Sequence, residues 1–240
     1  ITTRLVGSEM CIRDRYGYDY YGVNAANGNP IWSKADGSLV QFDTFGSYDY
    51  AEYDPSNPSD VSKASSLDAS DRKVLGSSMP TWYGGWNNTV SYKNFDLNVF
   101  FRFSGGNKIM NASRQSALFS NNGTEILGRW ISPEQPGDGM TPKIGYGDAS
   151  SLFNDGYTDS HFVESGNYLK LSTLALGYTL PKAVVSKLNM TKIRFYVQGQ
   201  NLLTITGYSG LDPETNSRLG VDWNGMPQQR SFTFGANITF

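Results

Sequence analysis

The segment Arg230-Ser-Phe-Thr-Phe-Gly-Ala-Asn-Ile-Thr-Phe240 alternates strictly between apolar and polar residues. Phe232, Phe234, Ala236, Ile238 and Phe240 fall on one face of an extended strand, and Ser231, Thr233, Gly235, Asn237 and Thr239 on the other. A soluble sheet can carry such a pattern. Two details favour a membrane barrel. The segment matches the roughly 9–11 residues that a tilted strand needs to cross a bilayer. Its polar face holds only small uncharged groups, which suits a wet lumen wall.

Composition agrees with that reading. The chain has 240 residues and a net charge of -2, so nothing argues for nucleic acid as a partner. Mean hydropathy is -0.43. No apolar run approaches the ~18 residues of a membrane helix, but barrel strands hide their hydrophobicity in alternation. Aromatics at 14% and 26 glycines favour an all-β class. Cys11 is the only cysteine and His161 the only histidine. An intrachain disulfide is therefore excluded. Neither a histidine–nucleophile pair nor a metal site of several His/Cys ligands is expected. With no nucleophile elbow and no persuasive carboxylate pair, the expectation is no enzyme and no cofactor. Ile1–Arg15 lacks the apolar core of about 7–15 residues that marks a signal peptide. Leu5–Arg15 resembles a translated sequencing-adapter read-through, so residues 1–15 are set aside as non-native and the reading begins at Tyr16.

Along the chain, Asn27-Gly28 and Asp36-Gly37 are hairpin-turn dipeptides, and short strands are expected near 29–34 and 38–45. Residues 53–78 read as a loop, with a helical turn at Ala69–Val74. Thr81–Lys93 and Phe95–Phe103 make the best hairpin. Trp82, Trp86, Val90 and Tyr92 share one face of the first strand; Phe95, Leu97, Val99, Phe101 and Phe103 share one face of the second. Tyr168–Leu180 and Lys192–Leu203 are further strands. The alternation of the former breaks, since Leu174, Leu176 and Tyr178 fall opposite Leu169 and Leu171. Residues 104–160 read as mostly irregular with a short helix at 108–119, within a long connector at 104–166, and 204–229 as a long loop. Short connectors at 93–95 and 181–191 alternate with these long ones, as periplasmic turns alternate with outer loops in a barrel.

Several motifs resemble the SusC/RagA-type TonB-linked outer-membrane transporters. They are Gly84-Gly85 with Tyr92–Leu97, Gly128-Arg-Trp130 before Pro133-Glu134, Phe162–Leu171, and Leu176–Pro181. Gly199–Thr206, Tyr208–Glu214, Pro227 and the closing Phe240 follow in order. Lys170 departs from the arginine more usual there. The resemblance implies a barrel of about 22 strands with an amino-terminal plug. This chain would be its carboxyl-terminal part, residues 16–240 forming the last five or so strands with long extracellular loops. It implies import of oligosaccharides, peptides or similar nutrients across the outer membrane of a Gram-negative bacterium. The implied partners are a SusD-like surface lipoprotein, the TonB complex through an amino-terminal part, outer-membrane lipid and the barrel assembly machinery. Phe232, Phe234 and Phe240 resemble the assembly signal of such barrels. The alternative is a soluble β-sandwich carbohydrate-binding module.

Each candidate has a plain reading beside the functional one. Asp212 and Glu214 could contact a ligand or cation, but Asp-Pro also begins turns. Trp82 and Trp86 could stack on sugars or form an interfacial aromatic girdle. Trp130, Trp223 and Tyr208, with Tyr146 and Tyr157, lie in expected outer loops and are candidates for substrate or lid contact. Arg102 and Arg194 could guide anions or simply pair within the wall. His161 is expected to be a loop residue with no special role.

Overall fold

Backbone pairing decides the architecture, and the computed structural model describes it for residues 14–43, 49–120, 122–143, 159–214 and 220–240. Cys11, Tyr146 and Tyr157 lie outside these residues. In chain order the elements begin with β1 (Asp14–Gly17), β2 (Asp19–Val23), β3 (Pro30–Ser33), β4 (Leu39–Phe42), β5 (Tyr50–Glu52) and β6 (Lys73–Ser77). Next come β7 (Trp82–Tyr92), β8 (Phe95–Gly105), β9 (Lys108–Asn111), helix α1 (Ala112–Phe119), β10 (Val163–Ser165) and β11 (Tyr168–Thr179). Helix α2 (Lys182–Val185), β12 (Lys192–Thr206), β13 (Val221–Asp222) and β14 (Ser231–Thr239) complete the series. The chain divides into two units: 1–79, 108–164 and 217–224 form a loop unit, and 80–107, 165–216 and 225–240 a wall unit.

The wall unit is one five-stranded antiparallel sheet in the order β14-β12-β11-β8-β7. Its register puts like with like. Val90, Leu97, Leu176, Val197 and Phe234 stand in one row across all five strands, and Tyr92, Phe95, Tyr178, Phe195 and Ala236 in another. Thr89, Asn98, Ala175, Gln198 and Thr233 form a row on the opposite face. The apolar face is uncovered: Phe234 is 78% exposed, Trp86 55% and Val90 53%. A sandwich would close such a face against a second sheet. Here it stays open, as the lipid face of a barrel wall does. The wall is an antiparallel transmembrane β-barrel fragment.

The broken alternation of β11 has a structural cause. Pairing slips between Leu171 and Thr173 on both sides of the strand. Ser172 is the extra residue against β8, and Asn201 and Leu202 lie opposite it on β12, with Asn201 at φ 53°. This β-bulge restores the parity. Leu169 and Leu171 meet Phe103 and Phe101, while Leu174 and Leu176 meet Val99 and Leu97, so all four leucines share the apolar face.

The loop unit has its own small cores. β2, β3, β4 and β5 form a meander, turned at Gly37 (φ 85°), around Tyr18, Tyr20, Trp32 and Val40. On the face of β4 opposite Val40, Gln41 accepts from Asn24 at 2.8 Å and donates to the Asp60 carbonyl at 3.1 Å. β10, β9 and β13 form a second sheet beside Met110, Leu118 and Phe162. β1 pairs with β6, so Asp14 and Arg15 stand opposite Ser77 and Gly76.

Two expectations change. Residues 104–166 and 204–229 supply the short strands β9, β10 and β13 besides the expected helix α1. The helix expected from 108 begins only at Ala112. Lys108–Asn111 is drawn into strand pairing, Met110 and Asn111 standing parallel to Val221 and Asp222. Asn111 then caps α1, its side chain accepting from the Arg114 N–H at 2.9 Å. That pairing spans more than a hundred residues, so local sequence cannot announce it.

The register makes the two faces distinguishable by charge. In the full-length protein, Phe234→Arg should cost about 2–4 kcal/mol of barrel stability near the midplane, and Thr233→Arg much less. The folded fraction, read by heat-dependent gel mobility, checks this, and equal losses would mean the faces are reversed.

Candidate functional site

The polar face of the wall is organised by charge. Gly177 leaves a gap on β11, and through it Arg194 of β12 reaches Asp96 of β8, with Nε donating to Oδ1 at 2.9 Å. A Cβ on Gly177 would collide with both side chains. Further along, Lys170 on β11 and Arg102 on β8 stand directly opposite one another. Lys170 is 1% exposed. Its Nζ donates to Asp212 Oδ2 at 3.0 Å and Oδ1 at 3.2 Å, and to Glu214 Oε2 at 2.7 Å. Glu214 is shared, since Arg102 Nη1 lies 3.0 Å from its Oε1. Arg102 Nε donates to the hydroxyl of the bulged Ser172 at 2.8 Å. The Glu214 N–H donates to Asp212 Oδ1 at 3.0 Å. Asp212-Pro213-Glu214 is thus the turn its sequence suggests and also the counter-ion of a buried lysine. Arg102 and Arg194 are both paired within the wall.

The aromatic candidates separate. Trp86 stacks on Phe101 with centroids 5.7 Å apart, within the apolar face. Tyr208 is buried at 5% exposure, like Asp212 at 5%. In the loop unit, Trp130 Nε1 donates to the Ala25 carbonyl at 2.9 Å, and its ring covers Gly28. Trp223 projects, 73% exposed.

His161 departs from its expected idle place. Its side chain is 3% exposed, and Nε2 lies 2.8 Å from Glu125 Oε1. Arg114 of α1 donates to Glu125 Oε1 at 2.6 Å and Oε2 at 2.7 Å, to the His161 carbonyl at 2.9 Å and to Glu164 at 3.3 Å. Burial would raise the Glu125 carboxyl, but hydrogen bonds from His161 and Arg114 and the charge of Arg114 outweigh it and hold it at about 2. Beside His161, whose backbone N–H donates to it at 2.9 Å, burial pushes Asp159 up to about 6, against the pull of His161 and a hydrogen bond from Trp32. Nothing in the sequence marks this cluster, because its members come from segments joined only by the fold.

Among the described residues no cluster of His, Cys, Asp and Glu could hold a metal. No family model matches the chain. Over 99% of its length it is 30% identical to "TonB-dependent receptor P3" of Formosa agariphila, of which it covers 23%. Over 65% of its length it is 29% identical to "TonB-dependent receptor SusC" of Bacteroides thetaiotaomicron, covering 15% of that protein. The chain belongs to the SusC/RagA-type TonB-dependent receptors. Among solved structures, the RagAB peptide importer in its open-open state matches 94% of the chain with a TM-score of 0.68 at 23% identity, over 22% of the matched chain. The chain therefore spans less than a quarter of the length of these receptors.

The loop unit of this receptor should respond to pH through two carboxyls. Glu125 is depressed to about 2 from 4.5, so its stabilisation is present above 4.5 and lost as pH falls towards 2. Asp159 is raised to about 6 from 3.8, so stability declines as pH rises from 3.8 and levels off beyond 6. Fluorescence of Trp32, the Asp159 partner, should titrate with a midpoint near 6 in the wild-type-minus-Asp159→Asn difference spectrum. A flat difference between pH 4 and 8, on the order of the window either side of that midpoint, would remove Asp159 from this role.

Proposed function

We propose that this chain is the carboxyl-terminal part of the barrel of an outer-membrane active transporter. The whole protein imports oligosaccharides, peptides or similar nutrients. It works with a SusD-like surface lipoprotein and draws on TonB through regions outside this chain. The observation that carries the reading is the wall unit. Its five strands present an open apolar face to outer-membrane lipid and a polar, internally ion-paired face to the lumen. Two receptors of the same family are named TonB-dependent, and the structural relative is described as a peptide importer. Phe232, Phe234 and Phe240 serve the barrel assembly machinery, and the exposed Trp223 belongs to the rim that meets the lid or substrate.

The test uses the full-length receptor in its own cells. Growth on peptide or oligosaccharide mixtures should require both the receptor and functional TonB. If deleting the receptor leaves growth on all such mixtures unchanged, the import reading falls. Trp223→Ala should lower co-purification of the lipoprotein while the barrel stays at its normal level. Undiminished co-purification would place Trp223 outside the contact.

A further inference from the structure

Lys170 and Arg102 are directly opposed cations on neighbouring strands, an arrangement that repels unless counter-charge lies between them. Lys170, at 1% exposure, is shielded from the bulk solvent that would soften the repulsion. A buried cation without a partner is strongly destabilising. β11 and β8 offer no carboxylate at this point; both come from the segment that follows the end of β12 at Thr206. That segment is built to deliver them together. Asp212 Oδ1 accepts from the Glu214 N–H, and Pro213 stiffens the turn between them. Among the described residues, two carboxylates then meet two cations. Tyr208 is buried within the segment, whereas Leu211 is 63% exposed, so apolar burial contributes little at the Leu211 end.

We propose that these four charges form a latch. Lys170 and Arg102 are a carboxylate-binding site on the polar face of the wall, and the Asp212-Pro213-Glu214 turn is its built-in ligand, strapping residues 207–214 against that face. Opening the latch frees the segment and leaves the sheet paired. The transport reading is not needed for this, because the latch is defined by loop protection in the assembled barrel.

The experiment is hydrogen exchange, read by mass spectrometry, on the full-length receptor in detergent. With Lys170→Met, amides of 207–214 should exchange at least about tenfold faster, while those of β11 and β12 keep their rates. Lys170→Arg keeps the charge and should hold the segment close to its original rate. Adding Asp212→Asn to Lys170→Met removes one charge of each sign from the four, leaves Arg102 facing Glu214, and should recover much of the lost protection. Unchanged rates in assembled Lys170→Met overturn the latch. So does a double variant that exchanges as fast as the single one, since that outcome means packing and not charge holds the segment. If Lys170→Met does not assemble, Asp212→Asn and Glu214→Gln decide on the same amides: faster exchange supports the latch, and unchanged exchange overturns it.

Discussion

A strand in lipid has no water for its peptide groups, so every backbone hydrogen bond must be made to a neighbouring strand. The rest of the wall follows from that constraint. Five strands keep an almost continuous antiparallel register from Trp82 to Thr239. The register admits one irregularity, the bulge at Ser172 opposite Asn201 and Leu202. Without it, Leu169 and Leu171 would point to the lumen and the row of leucines would break in the middle. With it, the lipid face stays apolar through the whole of β11. The extra residue falls on the polar side, where the Ser172 hydroxyl accepts from Arg102.

The polar face obeys a second rule, that charge leaving water must meet opposite charge. Arg194 finds Asp96 because residue 177 has no side chain to separate them. Arg102 and Lys170 find Glu214 and Asp212 because the chain turns back after β12. Such pairs add little net stability over apolar replacements, yet breaking one is costly. Their effect is therefore on placement. They specify which residues of neighbouring strands and loops must come together.

The loop unit solves the same problem with less apolar material. Its apolar cores are small, and buried polar networks stand beside them: Asn24 with Gln41 in one place, Arg114 with Glu125, His161 and Glu164 in another. Hydrogen bonds inside a protein are specific, because each unmade bond there is costly. Long segments that would be expensive to order as bare loops are held in this way.

The alternation of residues 231–239 and the pairing of 81–93 with 95–103 were legible without coordinates, whereas β8 and β12 run on to Gly105 and Thr206, past the ends expected at Phe103 and Leu203. Period-2 patterning is a local property, and lipid on one face with water on the other makes the pattern strict. The order β14-β12-β11-β8-β7 came from the structure, which pairs these strands in the order in which the chain visits them. Other features depended on pairing across distance. The bulge at Ser172 appeared in the sequence only as a fault in alternation, because its cause lies in the register with β8 and β12. The short strand at Lys108–Asn111 looked helical until Val221 and Asp222 came alongside. His161 looked idle because its partners Glu125 and Arg114 are brought to it by the fold. Asp212 and Glu214 read as a turn, which they form. Their ion pairs with a lysine more than forty residues earlier in the chain were decided by tertiary structure alone, since only the folded wall buries Lys170 and makes its charge need them.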